Sequence, residues 1–174
     1  QEGVTAEDGL KAARIARAYV LGDTTHGRGG PDDFARWRIL HVEETFAADL
    51  SVLLPPGSRR RRIPWTQTPD LVVAAGGDEH PHLHGLWAVD HKSAASFRGS
   101  TFWTWRRDGQ ALAQTAVLRA AGIPVRGFIP NIVTKQARVR AVHDYVEFDD
   151  GEVAEFVGTV AAWQRSMQAR RFRP

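Results

Sequence analysis

At 174 residues the chain is long enough for one domain with its own apolar core, and its complete lack of cysteine removes disulfides, thiolate zinc sites and cysteine nucleophiles together. The net charge is only +3, but the pI near 9.8 reflects a cationic set in which all but three of 23 residues are arginine, whose planar fork suits phosphate; the same bias toward Arg, Ala and Gly also fits a GC-rich coding background. No apolar run approaches the roughly 18 residues of a membrane helix, and the N-terminal stretch is charged and alanine-rich, unlike a secretory signal. A soluble, cytoplasmic protein without a membrane partner is expected.

The pattern predicts a helix over Ala6 to Val20, with Leu10, Ala13, Ala16 and Tyr19 near helical spacing. A loop from Gly22 to Asp33 follows, then a β-like run from Trp37 to Phe46. Pro55 to Ile63, with arginine at Arg59 to Arg62, reads as a turn joining two antiparallel strands. Asp70 to Ala75 and Gly85 to Lys92 are short apolar runs separated by a polar loop, as buried neighbouring strands would be. After Ser100 the period changes: Trp105, Leu112, Val117, Leu118 and Ala121 predict a helix of about four turns ending at Gly122 before Pro124. Val125 to Ile132 reads as a strand, and Asp150 to Arg170 as a closing helix through Val153, Phe156, Val157, Val160 and Trp163. The expected order is α-β-β-β-β-α-β-α, a mixed sheet with helices packed on it, as a single domain over residues 1–174 without repeats or linkers.

Chemistry concentrates at Asp70 and at Asp90-His91-Lys92. Asp90 and Lys92 stand at i and i+2, so in a strand they share a face, and Asp70 at the start of a neighbouring strand can lie beside them. Two carboxylates and an ammonium would then converge. Magnesium wants oxygen ligands and keeps several waters, so one or two carboxylates plus a substrate phosphate make a sufficient site. Lys92 would orient or deprotonate the attacking water, or stabilise charge on the phosphorus centre. The bland alternative is a buried Asp90–Lys92 ion pair, although two aspartates facing one lysine leave a net negative site.

Pro69-Asp70, nineteen intervening residues and Asp90-His91-Lys92 together resemble the signature of the PD-(D/E)XK nucleases. Val42 to Phe46 is similar to the glutamate-bearing strand of the RecB-like branch, Leu86 to Ser93 to its motif strand, and Gly122 to Asn131 to the strand that follows. Gln110, twelve residues before Gly122, falls at that branch's helix glutamine. The resemblance runs from Leu40 to the C-terminus. It implies a restriction-endonuclease-like α/β core, a central mixed β-sheet flanked by helices, and hydrolysis of DNA, as an exonuclease above all. Magnesium or manganese would be held by Asp70, Asp90 and the backbone carbonyl of His91, with Lys92, Gln110 and Glu43 completing the catalytic set. Glu43 is preferred to Glu44 from its position relative to Phe46, since neighbours on one strand face opposite ways. Gln114 stands where the branch usually has tyrosine, and Arg106, Arg107 and Gln114 would contact nucleic acid. The branch also carries a metal-binding histidine in a Gly-x-x-x-His setting. Gly22 to His26 fits those letters but runs into a glycine-rich loop, so that histidine is expected upstream of Gln1.

Two further readings stay open. A non-catalytic DNA-binding or assembly module would keep the fold without cleavage. His80, His82 and His84 alternate in a way that suits zinc or nickel, but they lie in the polar loop between the motif strands. The mixture of arginine and tryptophan at Arg59 to Arg62 with Trp65, and at Trp103 to Arg107, is of the kind found in single-strand binders; turns and helix starts are its commoner setting.

Overall fold

The computed structural model describes residues 37–58, 61–76, 81–94, 104–134 and 141–171. The predicted N-terminal helix, the loop after it and His26 lie outside these residues.

Five short strands precede the first described helix: β1 (Arg38–Val42), β2 (Phe46–Asp49), β3 (Pro64–Gln67), β4 (Leu71–Ala75) and β5 (Gly85–Ala94). Then come α1 (Gly109–Ala120), β6 (Val125–Thr134), β7 (Ala141–His143), β8 (Val146–Glu147) and α2 (Asp150–Arg171). The main sheet runs β1-β4-β5-β6-β7, with β8 also paired to β6, while β2 and β3 form a separate two-stranded sheet. Pairing is antiparallel except between β5 and β6, which are parallel. Parallel neighbours need a crossover, and α1 lies within it.

The mixed α/β architecture is therefore as expected, and the strands at Leu71–Ala75 and Gly85–Ala94 are buried neighbours. Both described helices pack on one face of the sheet. There Val72, Ala88 and Phe128 meet Ala116, Val117 and Leu118 of α1 and Val153, Val157 and Val160 of α2. The opposite face gathers Trp37, Val73, Ala75, Trp87, Val89 and Ile129. Gly127 lets β8 approach β6 closely: a Cβ there would collide with the Val146 carbonyl.

Three boundaries differ from the sequence reading. The run from Trp37 to Phe46 is two strands, because Glu43 adopts φ +46°, a left-handed conformation that ends β1. The alternation argument separating Glu43 from Glu44 thus fails: both lie beyond the end of the strand. The helix expected from Trp105 is interrupted: Thr104 and Trp105 are helical, a turn follows, and α1 starts at Gly109, where the Asp108 carboxylate accepts the backbone N–H groups of Gln110 (2.7 Å) and Ala111 (3.2 Å) as an N-cap. Finally, β7 and β8 are too short to leave a period in the sequence.

The turn predicted over Pro55 to Ile63 does join antiparallel strands, β2 and β3. Its base is tied by Asp49, whose Oδ1 accepts from Ser51 N (3.0 Å) and Ile63 N (2.9 Å). The Ile63 amide, with help from Ser51 and Arg62, holds this carboxyl below its usual value of 3.8 against a smaller effect of burial. A lowered carboxylate pKa means stability that is present above the unfolded value and lost as pH falls through the folded one. Asp49→Asn should therefore lower the melting temperature at pH 7, and the gap from the parent protein should close as both are titrated below pH 3.8; thermal melts across that range check it.

Candidate active site

The antiparallel register between β4 and β5 pairs Leu71 with Val89 and Val72 with Ala88. Continued by one position, it sets Asp70 opposite Asp90. Directly opposed residues have Cβ atoms about 5 Å apart, so the two carboxylates face each other across the strand ends. Alternation along the strands puts Asp70 and Asp90 on the same face as Val72 and Ala88, the face covered by α1. Lys92, two residues on, shares it.

Asp90 is 4 % exposed, and its two oxygens have different partners. Oδ1 accepts from Gln110 Nε2 at 3.1 Å. Oδ2 lies 2.5 Å from Lys92 Nζ, an ion-pair contact without hydrogen-bond direction, so this buried oxygen has no well-aimed donor. Lys92 Nζ in turn donates to Gln110 Oε1 at 3.2 Å. A lysine only donates and a carboxylate only accepts, so the Gln110 amide can close this ring in one orientation alone. The N-cap at Asp108 makes the arrangement possible, since it starts α1 two residues before Gln110 and aims that residue at the strand ends.

Asp70 is held differently. Its Oδ2 accepts the backbone N–H of His91 at 2.6 Å. Because the N–H and C=O of one strand residue point to the same side, the His91 carbonyl also faces the edge where β4 has ended and Asp70 stands. The His91 imidazole lies on the other face, its Nδ1 3.2 Å from the Asn131 amide nitrogen. Burial pulls the His91 pKa below 6.5, opposed by the charges of Asp70 and Asp90, so one imidazole senses both carboxylates.

The donor set fits a magnesium-sized ion in chemistry and in charge. Two carboxylates face one ammonium, an oxygen of Asp90 lacks a directed donor among the described residues, and a backbone carbonyl lies on the same edge. Among the described residues no three His, Cys, Asp or Glu side chains gather as a metal cage, but magnesium needs only one or two carboxylates besides substrate and water.

No family model matches the chain, and no curated protein matches it. Among solved structures it is similar to the crystal structure of SSO0001, with 9% identity and a TM-score of 0.43 over 71% of this chain. The match spans 50% of that protein's length. Likeness at this level carries no statement about chemistry or partner.

Not every predicted site residue joins the cluster. Glu43 does come to Asp70 through its backbone, its N–H donating to the Asp70 carbonyl at 2.9 Å, and its side chain is exposed. Glu44 bonds His41 Nδ1 at 2.6 Å. Gln114, expected to touch nucleic acid, is wholly buried, and among the described residues neither polar atom of its amide has a hydrogen-bond partner. This corrects the surface contact drawn from the family position: α1 is buried on almost all sides beyond its first turn. Arg106 pairs with Glu152 of α2 at 3.1 Å while its side chain stays 55 % exposed, and Arg107 is exposed beside it, just before the start of α1. His82 and His84 lie at the far end of β5, where Arg126 binds both their carbonyls at 2.6 and 2.9 Å; His80 lies outside the described residues. Five residues of strand, on the order of 17 Å, separate Gly85 from Asp90.

Asn131 and Asp108 were missed by sequence reasoning. The signal for Asn131 was a single amide in the otherwise apolar run from Gly127 to Val133; for Asp108, an Asp directly before a helical period.

Proposed function

We propose that the protein is a magnesium-dependent nuclease that hydrolyses phosphodiester bonds in DNA. The observation that carries this reading is the closed ring of Asp90, Lys92 and Gln110 with Asp70 set opposite Asp90 at the ends of adjacent strands. Asp70, Asp90 and the His91 carbonyl would hold the ion, which supplies Lewis-acid polarisation of a phosphate and acidifies a water when bound. Gln110 fixes the Lys92 ammonium by its Oε1 and the Asp90 carboxylate by its Nε2, so both keep their places as substrate enters. Lys92 then holds a proton at Nζ, to be exchanged with the attacking water or placed against charge developing on the phosphate oxygens. Arg106 and Arg107, both exposed just before the start of α1, are the predicted cations that would meet a phosphate.

The test is incubation of the protein with single- and double-stranded DNA in magnesium, manganese or EDTA. Cleavage that depends on magnesium or manganese and stops in EDTA is expected. Metal-independent cleavage would discard this site. Binding without cleavage would favour the non-catalytic module, a reading supported by the way Lys92 already neutralises Asp90. Among the described residues no helix is long and apolar enough to cross a membrane.

A further inference from the structure

Two open hollows meet on the surface beside α2. One, of about 870 Å³, lies along the β2–β3 hairpin among Ala48, Asp49, Arg62, Trp65 and Gln67. The other, about 440 Å³, lies between Arg61, Arg62 and Pro64 on one side and Gln164, Met167 and Gln168 of α2 on the other. Arg62 and Pro64 line both, so the hollows form one groove.

The lining is basic and aromatic. Arg61 and Arg62 are both exposed, and the Arg61 guanidinium is held at the mouth by the Gln168 side chain. Asp49 is the acid among the lining residues, and its carboxylate is already engaged by two backbone N–H groups. Met167, which lines the groove, is 56 % exposed, and Trp163, one turn earlier on the same helix stripe and just outside the lining, is 67 % exposed. An indole this exposed leaves most of its apolar area open to solvent.

The groove also points somewhere. At its hairpin end, Gln67 leads through Thr68 and Pro69 directly to Asp70, and the Thr45 and Thr68 hydroxyls, 2.8 Å apart, fasten that end of the hairpin. From Pro64 to Asp70 is at most about 20 Å of extended chain.

We propose that this groove is a track for single-stranded DNA, seating phosphates on Arg61 and Arg62 and a base on Trp163, and leading the strand along β3 toward Asp70. The delivery rests on the nuclease reading; the binding does not. A single strand fits better than a duplex because stacking on Trp163 needs an unpaired base face. Charge favours nucleic acid over an apolar protein partner, since Arg61, Arg62, Gln164 and Gln168 line the hollow with Met167.

The experiment measures fluorescence anisotropy of a labelled oligothymidylate of about 20 nucleotides in EDTA, against a duplex of equal length, with the full chain, Arg61→Ala/Arg62→Ala and Trp163→Ala. Each variant should bind the single strand about tenfold more weakly. Loss of two phosphate contacts should also flatten the logarithmic salt dependence by about 1.4. Trp163→Ala should leave duplex binding within about twofold. Thermal melts matching the parent protein verify that these exposed substitutions leave the fold intact. Single-strand affinities within about twofold of the parent would overturn the proposal, as would equal losses on duplex and single strand for Trp163→Ala. So would a Trp163→Ala variant whose only change is conversion of a dimer to a monomer in sedimentation, which would give the surface to a second copy. Absence of cleavage in magnesium would reject the nuclease reading without altering these affinities, so the two failures are distinguishable.

Discussion

Lys92→Ala should lower the rate of DNA cleavage at saturating magnesium by at least about 100-fold, the usual contribution of a positioned proton-transfer group. Lys92 Nζ is the one cationic atom in the ring with Asp90 and Gln110, at 2.5 and 3.2 Å, and no arginine replaces it there among the described residues. The substitution also leaves Asp90, 4 % exposed, with a single amide donor. Breaking a fully buried pair costs about 3–5 kcal/mol; the Lys92 side chain is 36 % exposed, so about 1–3 kcal/mol is expected without metal. Magnesium would replace the lost positive charge, so it should raise the melting temperature of the variant more than that of the parent, while cleavage stays lost. That divergence separates a chemical role from a structural one. Lys92→Arg should not restore the rate, because guanidinium stays protonated and cannot pass a proton. Cleavage by Lys92→Ala at the parent rate would refute the mechanism.

Arg119→Ala should cost about 3–4 kcal/mol and lower the melting temperature by roughly 10 °C. The side chain, 14 % exposed, leaves α1 and donates to three carbonyls: Val125 at 2.8 Å, Arg126 at 2.9 Å and Phe148 at 2.7 Å. It thereby ties the C-terminal end of α1 to the start of β6 and to the residue after β8. Removing it takes this donor from the Val125 and Phe148 carbonyls, while the Arg126 carbonyl keeps the Phe148 N–H at 3.2 Å. The fourth partner, Asp150 at 2.9 Å, is fully exposed, and an exposed pair contributes little. Asp150→Ala should therefore change stability by less than about 0.5 kcal/mol, and Arg119→Lys, with one nitrogen at its tip, should recover only part of the loss. Equal costs for Arg119→Ala and Asp150→Ala in denaturant titrations would show that the carbonyl clamp is not what stabilises this corner.

The parts of the site that were legible came from periodicity. Asp90 and Lys92 share a face because a strand alternates, and the apolar residues around them mark that strand whatever its neighbours are. Gln110 was singled out by the resemblance alone, from its distance to the Gly122 that ends its helix; periodicity gives it no distinction from other polar helix positions. Arg106 was legible as a surface cation but its ion pair was not, because its partner Glu152 lies 46 residues further along the chain, and pairing at that range leaves no mark on local sequence. Gln114 was misread for a related reason: a polar letter on a helix reads as surface, and only the packing of sheet, hairpin and α2 around α1 makes that position interior.

By itself the sequence determined the strands at Leu71–Ala75 and Gly85–Lys92, the closing helix from Asp150, and the common face of Asp90 and Lys92, since all of these follow from spacing along one segment. The tertiary structure alone decided that Asp70 stands opposite Asp90, that the Asp108 cap aims Gln110 between Asp90 and Lys92, and that both described helices cover the same face. Those facts depend on register and on contacts between segments far apart in the chain. Such contacts are fixed by the summed packing of many side chains, and no short stretch of residues encodes them.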